Sequence, residues 1–593
     1  MKKLNLAKVR SAIGLTIALV ALLLAAPAGA KQPARVTLAW VPAGTSVQEL
    51  AGLGLSPGLL SAGLGSVPVR QTYLDVGQGN RVFDSLYDSD LPALGPDAAG
   101  WWKEVVERAE SAPADIVPGL LAATLNASGE GGAFEIRGAT VGQLPSVRGG
   151  DLLIVVARPR EGSDDLVPIG IAGRGFDGNL TSDSTRMDGY VLSTDVAPTV
   201  LDRLGLPIPA EMSGQPIRSE GEVDVAEIES LGDRLEVISH RRGPVIGYSL
   251  LLWLGALAVV ALLSWGRQAR PAVRVTGLAI VYMPLVLLLG AALESGETAE
   301  VLLVMFGAPA LAVATLALFR GYRALAVASA LTVCAYAVDV IAGSPLTALS
   351  LLGPNPGLGV RFYGIGNELE AILAVLVVAG AGAALAGFAP EASRQRCAIA
   401  FVATGLLAAV VFAAGRFGAD VGAAIVLPVG AAVAAVTVAG RGRRAALWLV
   451  LAAPLAILAL LALVDLISGA NAHLTRSVLD AGGLGDLSDV AQRRLQLSAH
   501  SFGRPVLLAF LPLVAAIAVV AVVKRDRLRA WLSGSRAMRA GLAGALAATA
   551  LGTLANDSGA LLLEVGTAYL LVFVGFAWAE GSRRPTPPSR AER

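Results

Sequence analysis

After residue 244 the chain passes through about eleven long apolar runs, at roughly 245–265, 275–293, 301–319, 322–342, 365–388, 397–415, 419–440, 445–468, 505–523, 540–556 and 559–579. Runs of this length and composition narrow the range of folds sharply. In lipid, a single segment can satisfy all of its own backbone hydrogen bonds only as a helix, so they predict a polytopic all-α membrane region. Abundant Gly and Ala within them suit close helix packing.

Basic residues alternate between the connections. Those around 266–274, 320–323, 389–397, 441–444 and 524–539, with the tail after 580, hold 20 Lys and Arg, whereas the intervening ones and the approach segment with Arg241 and Arg242 hold 8. Cytoplasmic loops are the ones enriched in Lys and Arg, so the first set is expected inside, together with a basic cytoplasmic tail at 581–593. The second set is expected outside the cytoplasm, and it carries the unusual polar motifs.

The polar remainder lies upstream. Residues 1–30 read as a signal peptide: Lys2, Lys3, Lys8 and Arg10 precede an apolar stretch that ends at Ala28-Gly29-Ala30. Whether this segment is cleaved or retained as an anchor, the chain beyond it is exported. Residues 31–240 read as one soluble extracytoplasmic α/β domain. Strand-like runs occur at 35–41, 151–157 and 166–172, and a helix-like stretch at 97–110. Both cysteines, Cys334 and Cys397, lie in or beside apolar runs, so this domain must be held by its core alone. It has no basic patch and the whole chain is only 5% aromatic, which argues against a nucleic-acid partner.

The stretch Leu166-Val-Pro-Ile-Gly-Ile-Ala-Gly173, then Gly178-Asn-Leu-Thr-Ser182, Ser184-Thr-Arg186, Gly189-Tyr-Val-Leu-Ser-Thr-Asp195-Val-Ala-Pro-Thr199-Val-Leu-Asp-Arg-Leu-Gly205 and Met212-Ser-Gly214, resembles the C-terminal part of the alkaline-phosphatase-like superfamily. The likeness covers about 34–217 and is most specific over 166–217. It implies a sheet whose strand edge faces a dinuclear metal site, and a helix opening at Thr194 or Asp195, capped by a short polar side chain. The site's ligands are missing here. Val36–Val41 runs into Pro42-Ala-Gly-Thr-Ser46 where the superfamily places an Asp, Leu152–Val156 leads to Ala157-Arg-Pro-Arg160 in place of Asp-His, and residues 31–239 contain no histidine. Asp164, Asp165, Asp183 and Asp195 are carboxylates that a hard cation would accept, but they read more simply as solvated loop groups and a helix cap. No metal or cofactor is expected, and the domain reads as a degenerate, non-hydrolytic relative that binds or positions.

Polar groups inside the apolar region are costly and therefore mark candidate sites. Arg361-Phe-Tyr-Gly-Ile-Gly-Asn-Glu368-Leu-Glu370 places Tyr363, Asn367 and Glu368 at the mouth of a span, with Glu370 deeper. Gly415-Arg-Phe-Gly-Ala-Asp420-Val-Gly422 offers Arg416 as partner for a carboxylate, and Asn556-Asp557-Ser558-Gly559 marks a third helix entrance. The long connection 468–504 adds His473, Arg476, Arg493 and Arg494, with 489–497 expected as an amphipathic surface helix. Arginine forks suit phosphate, so Arg361, Arg416, Arg476, Arg493 and Arg494 would grip a phosphate-bearing lipid or lipid-linked glycan. Glu368, Glu370 or Asp420 would act as base or orient the acceptor. An ion-coupled transporter or flippase built on the same carboxylates, and a scaffold that recruits other envelope proteins through its exterior domain, are the other classes that fit.

Overall fold

The computed structural model describes residues 34–94, 97–160, 166–265, 268–440, 505–556 and 558–581, with isolated positions between 452 and 502. It forms two units: 1–184 with 188–229, and 230–593 with the short segment 185–187.

The first unit is an α/β sheet domain. Its elements are β1 (Val36–Val41), α1 (Val47–Gly52), β2 (Ser56–Ser61), α2 (Val69–Gln78), α3 (Ala98–Glu110), α4 (Leu120–Ala127), β3 (Phe134–Gly138), β4 (Leu152–Ala157), β5 (Leu166–Gly173), β6 (Asn179–Ser182), β7 (Tyr190–Leu192), α5 (Val196–Leu204) and β8 (Ile217–Glu220). Six strands pair in the order β3-β1-β4-β5-β2-β7, and β6 pairs with β8. β5 runs antiparallel to both neighbours, and every other contact in the large sheet is parallel. β1, β2, β3, β4 and β7 therefore do not share one direction on both sides of β5 by chance: β5 reverses once against β4 and once against β2, so all five end at one edge. All six residues of Leu-Leu-Ile-Val-Val-Ala in β4 are buried, as expected of a strand covered on both faces. The three expected strands and the expected helix appear within a residue or two, with Asp97 capping α3 through Ala99 N and Gly100 N.

The second unit is helical. α6 (Val225–Leu263) enters it at residue 230 and leads to α7 (Ala269–Ala292), α8 (Glu297–Leu318, with a π turn at Leu303–Gly307), α9 (Tyr322–Ile341), the short α10 (Pro345–Leu349), α11 (Asn367–Phe388), α12 (Arg394–Ala413) and α13 (Val421–Ala439). Further on come α14 (Pro505–Val523), α15 (Arg525–Leu532), α16 (Arg536–Ala555) and α17 (Gly559–Glu580). Nine helices among the described residues are long and apolar enough to cross a membrane, and Phe510–Val523 adds a shorter apolar stretch. Of the eleven expected spans, 445–468 falls almost wholly outside the described residues. The first expected span begins earlier than its apolar run, because the polar stretch from 225 continues in the same 39-residue helix.

Contacts sort the connections to two ends of this bundle. At one end Arg274 at the start of α7 pairs with Glu580 at the close of α17 (2.7 Å), and Arg323 at the start of α9 donates to the Gly387 carbonyl late in α11 (2.8 Å). Trp531 of α15 meets Trp578 there, and Arg270 lies over the Trp578 ring. At the other end Gly364 N donates to Ser344 Oγ and Ile365 N to the Gly418 carbonyl, which joins three connections. Among the described residues, the basic connections at 268–274, 320–323 and 524–539 thus lie at the end opposite to the motifs at 361–366 and 414–420.

Candidate polar site at one end of the bundle

The starts of three helices and the close of a fourth supply the candidate groups at the motif-bearing end. Gly366 precedes α11, Asp420 caps α13 by accepting from Ala423 N (3.2 Å), Ser558 precedes α17, and Asn556 closes α16. Free N–H groups and aligned dipoles make the starts of α11, α13 and α17 favourable places for negative charge. The chain answers with Glu368 and Glu370 in the first turn of α11 and Asp420 at α13.

These groups fall into three hydrogen-bonded sets. Asn556 Nδ2 donates to Glu370 Oε2 (2.7 Å) and to Asn367 Oδ1 (3.2 Å), and Asn367 Nδ2 donates to Ser558 Oγ (2.9 Å). Glu370 is 2% exposed. A Cβ added to Gly422 would stand 2.5 Å from both of its carboxylate oxygens, so the α13 backbone closes directly against it. Glu368 receives Arg242 Nη1 (3.0 Å), whose Nη2 donates to the Gly353 carbonyl (2.7 Å). Asp420 is paired by Arg361 (3.3 Å), which also donates to the Ile365 carbonyl. Gly364, at φ +77, has backbone that abuts the Gly418 carbonyl, leaving no room for a side chain.

These sets take in Glu368, Glu370, Asp420, Arg361, Asn367 and Asn556 of the residues singled out from sequence. Arg361 and Arg242 hold the carboxylates. Arg416 is exposed, has no carboxylate partner among the described residues and lies over the Phe417 ring instead. Tyr363 is half-buried beneath the guanidinium of Arg186 (3.9 Å). His473, Arg476, Arg493, Arg494 and Asp557, with the expected surface helix at 489–497, lie outside the described residues.

Sequence reasoning missed Arg242 and Ser558. It also missed a second buried pair: Glu300, 0% exposed, takes both Arg234 (3.0 and 3.3 Å) and Arg241 (3.7 Å). The available signal was the spacing of Arg234, Arg241 and Arg242, which a helix carries on adjoining faces. Asp339, late in α9, accepts from Leu346 N and Thr347 N and so holds the start of α10.

In the sheet domain, the residues after β1 and those at the ends of β2 and β7 are held by hydrogen bonds. After β1, Ser46 and Glu49 close a capping box on α1, and Thr45 Oγ1 donates to the Pro42 carbonyl. The buried Arg81 guanidinium donates to the Ser61 carbonyl (3.0 Å), Ser61 Oγ (3.2 Å) and Ser193 Oγ (3.3 Å), tying the ends of β2 and β7. Asp195 makes no side-chain cap on α5, contrary to expectation. Its carboxylate is buried and accepts from Ser182 Oγ (2.7 Å), Ser184 Oγ (2.5 Å), Leu192 N (3.0 Å) and Gln215 N (2.9 Å). Burial pushes its pKa up, opposed by those hydrogen bonds. Asp183 pairs with Arg218 (2.8 Å), and Asp164 and Asp165 lie outside the described residues. Among the described residues no group of three His, Cys, Asp or Glu side chains is placed to hold a metal.

Comparison with known proteins returned no matching family model, no matching curated protein and no matching solved structure.

Proposed function

We propose that this integral membrane protein handles an anionic, phosphate-bearing lipid or lipid-linked glycan at the outer face of the cell membrane, by transfer or polymerisation. The charge alternation supports that orientation. The sheet domain is then an exterior alkaline-phosphatase-like relative without hydrolytic activity, a reading supported by the lack of histidine in 31–239 and by the Ser46 cap in the connection that follows β1.

The observation that carries the reading is the pairing of Arg242 with Glu368 and of Arg361 with Asp420 at the ends of α11 and α13 that carry the polar motifs. Each guanidinium presents planar donors that a phosphate would take in place of the carboxylate. A carboxylate released in this way becomes the base. It takes the proton of an acceptor hydroxyl as that oxygen bonds to the transferred group, while the lipid phosphate leaves with the bonding electrons and its charge rests on the two guanidiniums.

A second reading, an ion-coupled transporter, is favoured by one feature: Glu370 is enclosed between helices, where a proton or cation site would be built.

The test compares Glu368→Gln and Arg242→Gln singly and together in cells lacking the native gene. Loss of function with a normal protein level in each single variant, and no rescue in the double, supports the reading. Loss of protein in the singles with recovery in the double would reduce the pair to a buried strut. Normal function in both singles would end the proposal, and substrate-coupled proton flux in proteoliposomes would favour the transporter.

A further inference from the structure

Among the described residues, six arginines of the second unit lie in or beside the polar end. Arg234 and Arg241 reach Glu300, Arg242 reaches Glu368, and Arg361 reaches Asp420. Arg186 and Arg416 have no carboxylate partner among the described residues. They are also joined to each other: Arg186 Nη1 donates to the Arg416 carbonyl (3.3 Å).

Both guanidiniums lie over aromatic rings, Arg186 at 3.9 Å from the Tyr363 centroid and Arg416 at 5.7 Å from that of Phe417. A guanidinium that lies over a ring still has N–H donors to offer a second partner. Arg186 spends one donor on the Arg416 carbonyl and none on a carboxylate. Its backbone adds a second indication. Arg186 has φ +54, a left-handed conformation that costs a non-glycine residue on the order of 1 kcal/mol. A glycine would sit there without strain, yet the chain places a long cation.

We propose that Arg186 and Arg416 together grip the phosphate of the ligand, with Tyr363 and Phe417 fixing the two planes. The inference rests on the function proposed above and names the point of first contact. Tyr363 and Phe417 belong to the same two connections, 361–366 and 414–420, that precede Glu368 and Asp420, so a phosphate held by this pair would stand beside the segments that carry those carboxylates. With no carboxylate partner for either arginine among the described residues, a doubly charged phosphate would offset both charges and take donors from each.

The experiment uses the full-length protein in detergent, titrated with mixed micelles containing phosphatidate and, separately, with inorganic phosphate, with bound ligand counted by native mass spectrometry. The variants are Arg186→Gln/Arg416→Gln and Arg186→Lys/Arg416→Lys, each checked for a wild-type elution profile. Wild-type protein should retain phosphatidate, the Gln pair should bind it at least tenfold more weakly, and the Lys pair should fall between, because charge survives but the planar fork does not. Retention of phosphatidate that inorganic phosphate does not displace identifies a lipid headgroup, and tight binding of inorganic phosphate identifies the free ion; both support the grip. Equal retention by wild type and the Gln pair overturns this inference and leaves the proposed function standing. No retention of either probe by wild type overturns both. Should the Gln pair fail to elute normally, Tyr363→Leu, which keeps both charges and removes one stacking plane, should weaken retention severalfold, and unchanged retention would overturn the grip.

Discussion

Asp75 offers the most quantitative test of the sheet domain. It lies on α2, 2% exposed, accepting at Oδ1 from Gln71 Nε2 (2.8 Å) and Gln78 Nε2 (3.1 Å). Burial raises its pKa from 3.8 to about 7, opposed by the Gln71 hydrogen bond and the positive charges of Arg81 and Arg108. In the window between these values the folded protein keeps a proton that the unfolded chain has released. Stability therefore falls as pH rises from about 4 to about 7 and is level above that. A shift of about three units at ~1.4 kcal/mol each makes the cost of ionisation about 4 kcal/mol, an upper figure because a relaxing site admits water. Asp75→Asn preserves the acceptor for both glutamines and removes the titration. For a domain of this size, about 4 kcal/mol corresponds to a melting-temperature change on the order of 10 °C. Calorimetry of the full-length protein in detergent at pH 4.5 and pH 8 should show the wild type losing ground to the variant as pH rises. A wild-type-minus-variant difference that is the same at both pH values would refute the argument.

Two further outcomes are expected. Glu300→Ala leaves Arg234 and Arg241 facing no shared carboxylate and should cost about 3–5 kcal/mol, seen as a lower melting temperature or reduced protein; a variant as stable as wild type would show that the pair carries no weight. With Cys334 and Cys397 replaced by Ala, a cysteine at Val360 should react with an impermeant thiol reagent in intact cells and one at Ser533 should not, since these positions lie at opposite ends of the bundle; the reverse pattern would overturn the proposed orientation.

What the sequence made legible came from physics that acts over a few residues. A helix that crosses a membrane needs a long apolar run, so most boundaries fell within four residues of the observed ends. Buried strands such as β4 are continuous apolar runs, and Asp97 caps the next few N–H groups. The strands missed were short or mixed: Ser-Pro-Gly-Leu-Leu-Ser in β2 and the exposed, charged β3 carry no clear pattern. Partnerships across the chain were invisible for a different reason. Arg361 and Asp420 are 59 positions apart, and Arg242 and Glu368 are 126 apart, so no local spacing announces either pair. Arg416 looked like the partner of Asp420 because it is near in sequence. Asp195 failed as a cap on the same grounds, since two of its four donors come from 13 and 20 positions away.

The glycines buried between α11, α13 and α16 have a mechanical consequence. A Cβ on Gly382 would stand 3.1 Å from the Gly541 Cα, and one on Gly544 would collide with the Gly430 carbonyl, so backbone lies on backbone with no side chains between. Side chains act as bearings: they change rotamer and let one helix slide past another. Bare backbones in contact interlock, and axial sliding by a fraction of a turn would drive carbonyls into Cα atoms. These three helices therefore form a chassis with a fixed internal register. Whatever opens or closes during a working cycle must be sought in the connections at their ends and in the outer helices, where Arg242, carried on α6, meets Glu368, carried on the chassis.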